Sequence, residues 1–195
     1  MNLRRIALGL VPCLVAGALP VAVQAHGAGQ GANELLPDNT AACIYETMPA
    51  EDREIALLLI SREFAGGGRF GQSSRNLDTI NELIEESHSR CLARFNWSVG
   101  RSQSATGYAL TAILADALEQ SLQSIGLSAA PLHAFYRENR HLLTGRDRLP
   151  AAQRDRLTAF VKAQGWADPK EPELALAALY VESLMLKDQA QRQFR

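Results

Sequence analysis

Residues 174–186 read LALAALYVESLML, a run in which only Glu182 carries a charge. Wound as an α-helix, this stretch is apolar on nearly every side. Such a helix lies at the centre of a fold or is covered by a partner. The stretch therefore predicts a central helix in an all-helical protein, and it leaves open a protein partner or a homo-oligomer through this C-terminal helix.

The rest of the chain shows the same helical pattern, because apolar residues recur at spacings of three and four between glycine and proline breaks. Helices are predicted over about 38–48, 50–64, 75–96, 104–125, 128–143, 150–165 and from the Asp168–Glu171 start signal to about 191. No stretch alternates like a strand. We expect residues 38–195 to form a single compact all-α domain of six or seven helices, bundle-like, whose topology cannot be derived from the pattern.

The first 25 residues have the order of a secretory signal peptide. A basic start at Arg4 and Arg5 precedes an apolar run, which closes on the small residues of Val23-Gln24-Ala25. We expect cleavage after Ala25 and a periplasmic or secreted location in a bacterium. Residues 26–37 then form a flexible glycine-rich leader. No later segment is apolar for long enough to span a membrane.

Charge and cysteine content narrow the function classes. The formal net charge of −1 argues against a nucleic-acid partner. Once Cys13 leaves with the signal peptide, Cys43 and Cys91 remain, and an even count in an oxidising compartment favours a disulfide between them. The alternative is two buried free thiols. No Cys-x-x-Cys motif supports a thioredoxin-like redox site.

The histidines are the candidate metal ligands. Cleavage after Ala25 makes His26 the N-terminal residue, which can chelate Cu(II) through its amine and imidazole. The pair His26-Gly27 resembles the mature start of copper-dependent polysaccharide monooxygenases. Those enzymes are β-sandwiches, so the resemblance implies only Cu(II) binding here, with His88, His133 or His141 as a further ligand. No other cofactor is expected.

Two Glu-x-x-His pairs, Glu85/His88 and Glu138/His141, have the spacing of ligands in four-helix di-iron proteins. Helical phase argues against that site. At about 100° per residue, His141 and Glu119 fall away from the apolar faces of their helices and should face water. His88 lies on an apolar face, where it is either a partly buried structural histidine or a ligand or catalytic residue.

Two other features carry weaker functional hypotheses. Glu182 within the apolar run is a catalytic candidate, and its alternative role is to reach a surface arginine. Arginines around the turn at 145 form a candidate anion-binding patch, with interleaved acidic residues that instead favour a solvated face. The patch consists of Arg137, Arg140, Arg146 and Arg148.

These observations favour a non-enzymatic interaction, accessory or stress-type factor. A periplasmic metal-binding or metal-sensing protein that uses His26 is the alternative. A second alternative is a hydrolase of unrecognised type that uses Glu182 or His88. An unfamiliar active site leaves no sequence motif, so the absence of a motif does not exclude an enzyme.

Overall fold

A computed structural model describes residues 38–65, 75–146, 148–166 and 169–195. The predicted signal peptide (1–25), the leader (26–37) and His26 lie outside the described residues. Within the described ranges the chain forms seven helices and no strand, which confirms the all-α prediction. They are α1 (Cys43–Thr47), α2 (Ala50–Ala65), α3 (Arg75–Phe95), α4 (Val99–Ser124), α5 (Ala130–Leu143), α6 (Ala151–Ala163) and α7 (Glu171–Gln193).

Helices α4 and α7 form the central pair of the fold, and most of the other helices pack on one of them. Small residues allow the two helices to approach closely, since a Cβ at Gly107 of α4 would lie 4.0 Å from the Cβ of Ala190 of α7. One face of the apolar run in α7 is buried within the chain, with Tyr180 and Val181 1% and 0% exposed, while Leu179 on another face is 38% exposed. Intramolecular packing therefore accounts for much of the apolar character of this helix.

Helices α1, α2 and α3 pack around α4, while α5 and α6 pack against α7 and against each other. Helix α1 has only five residues. Its position is defined by the disulfide between Cys43 and Cys91 of α3, whose sulfur atoms are at bonding distance, and by a hydrogen bond from the Tyr45 hydroxyl to Asp116 of α4. The pairing expected from the cysteine count is thus present in the structure.

Several helix starts differ from the sequence expectation. The first helix is predicted from about residue 38, but α1 begins only at Cys43. The fourth helix is predicted from about residue 104, but α4 already begins at Val99, because the Ser98 hydroxyl accepts a hydrogen bond from the Arg101 N–H. Helix α7 begins at Glu171, and the Glu173 carboxylate accepts from the Lys170 N–H at 2.8 Å. The earlier start of α4 shows that a local capping bond, rather than apolar spacing alone, decides where a helix begins. At α7 the predicted start signal Asp168–Glu171 is confirmed, with Lys170 rather than Asp168 as the N-cap residue.

Among the described helices, none is both long and apolar enough to cross a membrane.

Candidate functional site

A groove of about 470 Å³ lies where α4 ends and α5 begins. This volume is within the range of small-molecule sites in proteins. Its walls come from the last turns of α4, the connecting loop and the first turn of α5. The lining residues are Glu119, Gln123, Gly126, Leu127, Ser128, Ala129, Ala130 and His133.

A hydrogen-bonded network connects the groove to the central helix pair. The Tyr180 hydroxyl of α7 donates to Glu119 Oε2 at 3.2 Å and lies 2.6 Å from His133 Nε2. A phenol has one proton to donate. Both contacts are hydrogen bonds at the same time only in the tautomer with an N–H on His133 Nε2, and in that tautomer His133 donates to Tyr180 and Tyr180 donates to Glu119.

Tyr180 remains protonated in this environment. Burial raises the pKa of its hydroxyl above the usual range, and the negative charges of Glu119 and Asp116 raise it further. The protonated Tyr180 hydroxyl therefore donates a hydrogen bond to the Glu119 carboxylate and orients it. Gln123 Nε2 lies 3.4 Å from Glu119 Oε1, so both carboxylate oxygens are oriented by neighbouring side chains.

The backbone at the groove is shaped by the two helix ends. Gly126 ends α4 with φ of 79°, a left-handed conformation that glycine adopts without strain. At the start of α5, the N–H of Ala130 donates to Ser128 Oγ, and those of Leu132 and His133 both donate to the Ala129 carbonyl. The first turn of α5 thus uses its own N–H groups internally.

A second arrangement lies across the α3–α4 hairpin. His88 Nε2 is 2.5 Å from Ser102 Oγ, and His88 Nδ1 is 3.7 Å from Glu85 Oε2. The His88 side chain is 19% exposed and that of Glu85 is 72% exposed. Ser102 and His88 are thus within hydrogen-bond distance, as a nucleophile and its base are, whereas Glu85 lies too far from His88 for a hydrogen bond.

Glu182 has a different setting. It is half-buried, and its Oε1 accepts a hydrogen bond from the Leu149 N–H at 2.9 Å. This contact joins α7 to the connection between α5 and α6. The carboxylate therefore makes at least one structural contact, and its role in catalysis or in pairing with an arginine stays a prediction.

The arginine patch is partly engaged in the fold. Arg140 pairs with Asp188 of α7 through Nε at 3.1 Å and through a short contact from Nη2, and Arg192 Nη1 lies 2.7 Å from the same carboxylate. Arg146 Nε donates to the Leu142 carbonyl at 3.3 Å. The remaining two members differ in exposure, since Arg137 is exposed and Arg148 is half-buried. The four arginines of the patch therefore differ in how far their guanidinium groups are available to bind an anion.

The metal candidates are not gathered into one site within the described ranges. His26 lies outside them, His141 is exposed on α5, and His88 contacts Ser102. In the part of the chain that the structure describes, no group of three or more histidine, cysteine, aspartate or glutamate side chains is placed to hold a metal ion. Cu(II) binding by His26 stays a prediction.

The expectation that Glu119 faces water holds only in part, because this side chain lines the groove but is half-buried and accepts a hydrogen bond from Tyr180 of α7. Helical phase relates Glu119 only to its own helix, whereas the partner lies 61 positions away in the chain. One signal was present in the sequence. A tyrosine inside an all-round apolar helix needs a hydrogen-bond partner when it is buried.

No protein family, curated protein or solved structure matches the chain.

Proposed function

We propose that the protein is an exported binding protein that holds a small polar ligand in the groove between α4 and α5. The observation that carries this proposal is the oriented polar wall of the groove, formed by Glu119, Tyr180 and His133. Binding sites of this kind combine a concave surface with a few convergent polar groups. The proposal keeps the accessory, non-enzymatic role expected from the sequence and assigns it a surface.

The burial pattern supports a ligand rather than a purely structural network. His133 is exposed at the opening of the groove, while Tyr180 is 1% exposed behind it. A buried hydroxyl that orients an accessible carboxylate makes that carboxylate rigid before a ligand arrives. Rigid polar groups lose less entropy on binding, which raises affinity.

Export is part of the same proposal. We infer that residues 1–25 are removed as a signal peptide and that the protein works in the periplasm or outside the cell. The disulfide between Cys43 and Cys91 supports this location, because such bonds persist in oxidising compartments. The packing of α7 against α4 covers part of residues 174–186, and a protein partner on the exposed remainder stays a prediction.

A screen of small polar fragments by protein-observed NMR tests the binding function. We expect amide shifts to cluster at residues that line the groove. Ala130→Trp should abolish these shifts by filling the groove, since Ala130 is an exposed lining residue. Ala151→Trp is the matched control, because Ala151 is an exposed alanine at the start of α6. A screen in which no fragment shifts groove residues would contradict the function.

The contact of His88 with Ser102 favours a second candidate function, ester hydrolysis. Ser102 Oγ would form a bond to the ester carbonyl carbon as its proton passes to His88 Nε2. His88 would then protonate the departing alcohol as the ester C–O bond breaks, and water would release the acid by the reverse sequence. Ser102 itself is half-buried, so part of its surface is open to solvent.

A fluorophosphonate probe tests the hydrolase candidate. Ser102 should be labelled in preference to other serines, and labelling should disappear in Ser102→Ala and His88→Gln. Ser124→Ala and His141→Gln are the controls, since both residues are exposed and lie outside the pair. Absence of labelling, or labelling spread over exposed serines, would leave His88–Ser102 as a structural hydrogen bond between α3 and α4.

A further inference from the structure

We infer that the ligand of the groove is a small organic ammonium compound. This inference rests on the proposed binding function and specifies its ligand class. It follows from the charges, the hydrogen-bonding groups and the helix ends that meet at the groove.

The electrostatic character of the groove favours a cation. Among the described residues that line the groove, Glu119 is the carboxylate and His133 the one titratable base, and none is a lysine or an arginine. Asp116 lies one turn earlier on α4, and its charge reaches Tyr180 at the base of the network. The C-terminal end of α4 also carries the negative end of the helix dipole, which attracts positive charge.

The start of α5 does not offset the preference of the groove for a cation. A helix N-terminus binds anions through N–H groups that have no partner within the helix. Here the N–H groups of Ala130, Leu132 and His133 already have internal acceptors, and Pro131 has no N–H. A phosphate or carboxylate ligand would therefore find few donors at the end of the groove where a helix normally supplies them.

The donor set also suits an ammonium group better than a metal ion. Tyr180 would have to lose its proton to bind a metal, and burial together with the nearby carboxylates opposes that loss by raising its pKa. An ammonium group instead donates N–H bonds to oxygens that are accessible as acceptors. Glu119 is the charged acceptor, while Gln123 and Ser128 supply an amide oxygen and a hydroxyl on the lining.

A matched four-carbon series tests the ligand class on the purified, oxidised protein. The probes are 1,4-diaminobutane, 1,4-butanediol and butanedioate, which differ mainly in charge. We expect the diamine alone to shift the amides of groove residues, with a dissociation constant in the millimolar range or below. Glu119→Gln should weaken diamine binding about tenfold or more, because it removes a charged hydrogen-bond acceptor.

Glu138→Gln is the matched control for the loss of a carboxylate. Glu138 lies on α5, the helix that also carries His133, but it is exposed and does not line the groove. The substitution should leave diamine affinity within about twofold of the original, because an exposed charge outside the site is screened. Equal or stronger binding of butanediol or butanedioate at the groove would overturn the ammonium inference and leave the binding function standing. Saturable binding of Zn(II) or Cu(II) in the groove that excludes the diamine would also overturn the ammonium inference.

If none of the three probes shifts groove residues, the ammonium inference fails, and the fragment screen alone decides the binding function. Unfolding temperatures of the Glu119→Gln and Glu138→Gln proteins establish that both remain folded. If Glu119→Gln is unfolded, Ala130→Trp provides the same test by occlusion, because Ala130 takes no part in the Tyr180 network.

Discussion

Reduction of the Cys43–Cys91 disulfide should remove a large part of the stability of the fold. The bond joins residues 48 positions apart. For a loop of that length, the loss of chain entropy in the unfolded state corresponds to about 4 kcal/mol of stabilisation. Helix α1 depends on this bond more than the others do, because a five-residue helix has little intrinsic stability.

The measurement is urea unfolding of the oxidised and the reduced protein, followed by circular dichroism. With a urea dependence of about 2 kcal/mol per M, the midpoint should fall by about 2 M on reduction. The two cysteines are 0% and 1% exposed, so the sulfur atoms also contribute packing. Cys43→Ala, compared with the reduced original protein, isolates that packing contribution from the effect of the cross-link.

Hydrogen exchange provides a second observable for the same prediction. Amides of α1 should lose protection in the reduced protein before those of α4, because the disulfide anchors α1 and the Tyr45–Asp116 hydrogen bond alone is a weaker tie. A midpoint that moves by less than about 0.3 M on reduction would refute the chain-entropy reasoning. Equal protection of α1 in both forms would refute the tethering role assigned to the bond.

Three further predictions concern charge and processing. Asp188→Asn should cost about 1–3 kcal/mol of unfolding free energy, since it weakens bonds that join α5 to α7, while Asp155→Asn on an exposed face of α6 should cost little. Burial alone would raise the pKa of Asp188, but hydrogen bonds from Arg140 and Tyr136 outweigh burial and lower this pKa. The stability that ionised Asp188 contributes should therefore be present at neutral pH and lost below about pH 4. Burial, with a carboxylate hydrogen bond, raises the pKa of Tyr45 and of Tyr136 to about 12. Stability should therefore fall between about pH 10 and pH 12, where these tyrosines ionise only in the unfolded chain. Phenylalanine at both positions should reduce the fall in urea titrations, and Tyr108 and Tyr180, whose pKa values are also raised, should account for the remainder. N-terminal sequencing of the exported protein should begin at His26, and an intact Met1 would contradict export through a cleaved signal.

Much of the fold follows from local patterns in the sequence. The apolar run 174–186 predicts a central helix, and α7 does pack against α4 with Val181 fully buried. Gly126 and Gly165 end helices with positive φ, as glycine between apolar-periodic segments indicates. These features depend on neighbours within one or two turns, so they can be read from spacing alone.

Only part of the candidate site could be predicted from the sequence. The sequence correctly places His88 on a face of α3 that meets another helix, but its partner Ser102 falls before the predicted start of the fourth helix. Helical phase assigns Glu119 to water because this residue lies away from the apolar face of its own helix. In each case the error concerns the side chain that arrives from elsewhere, which periodicity does not describe.

Composition, spacing along one helix and a count of cysteines were enough to predict the helical class, the central apolar helix and the pairing of Cys43 with Cys91. The meeting of Tyr180 with Glu119 and His133 beside a groove came only from the folded arrangement. The physical reason is that the packing of α4, α5 and α7 fixes which side chains meet, and that packing depends on the whole core rather than on any single segment.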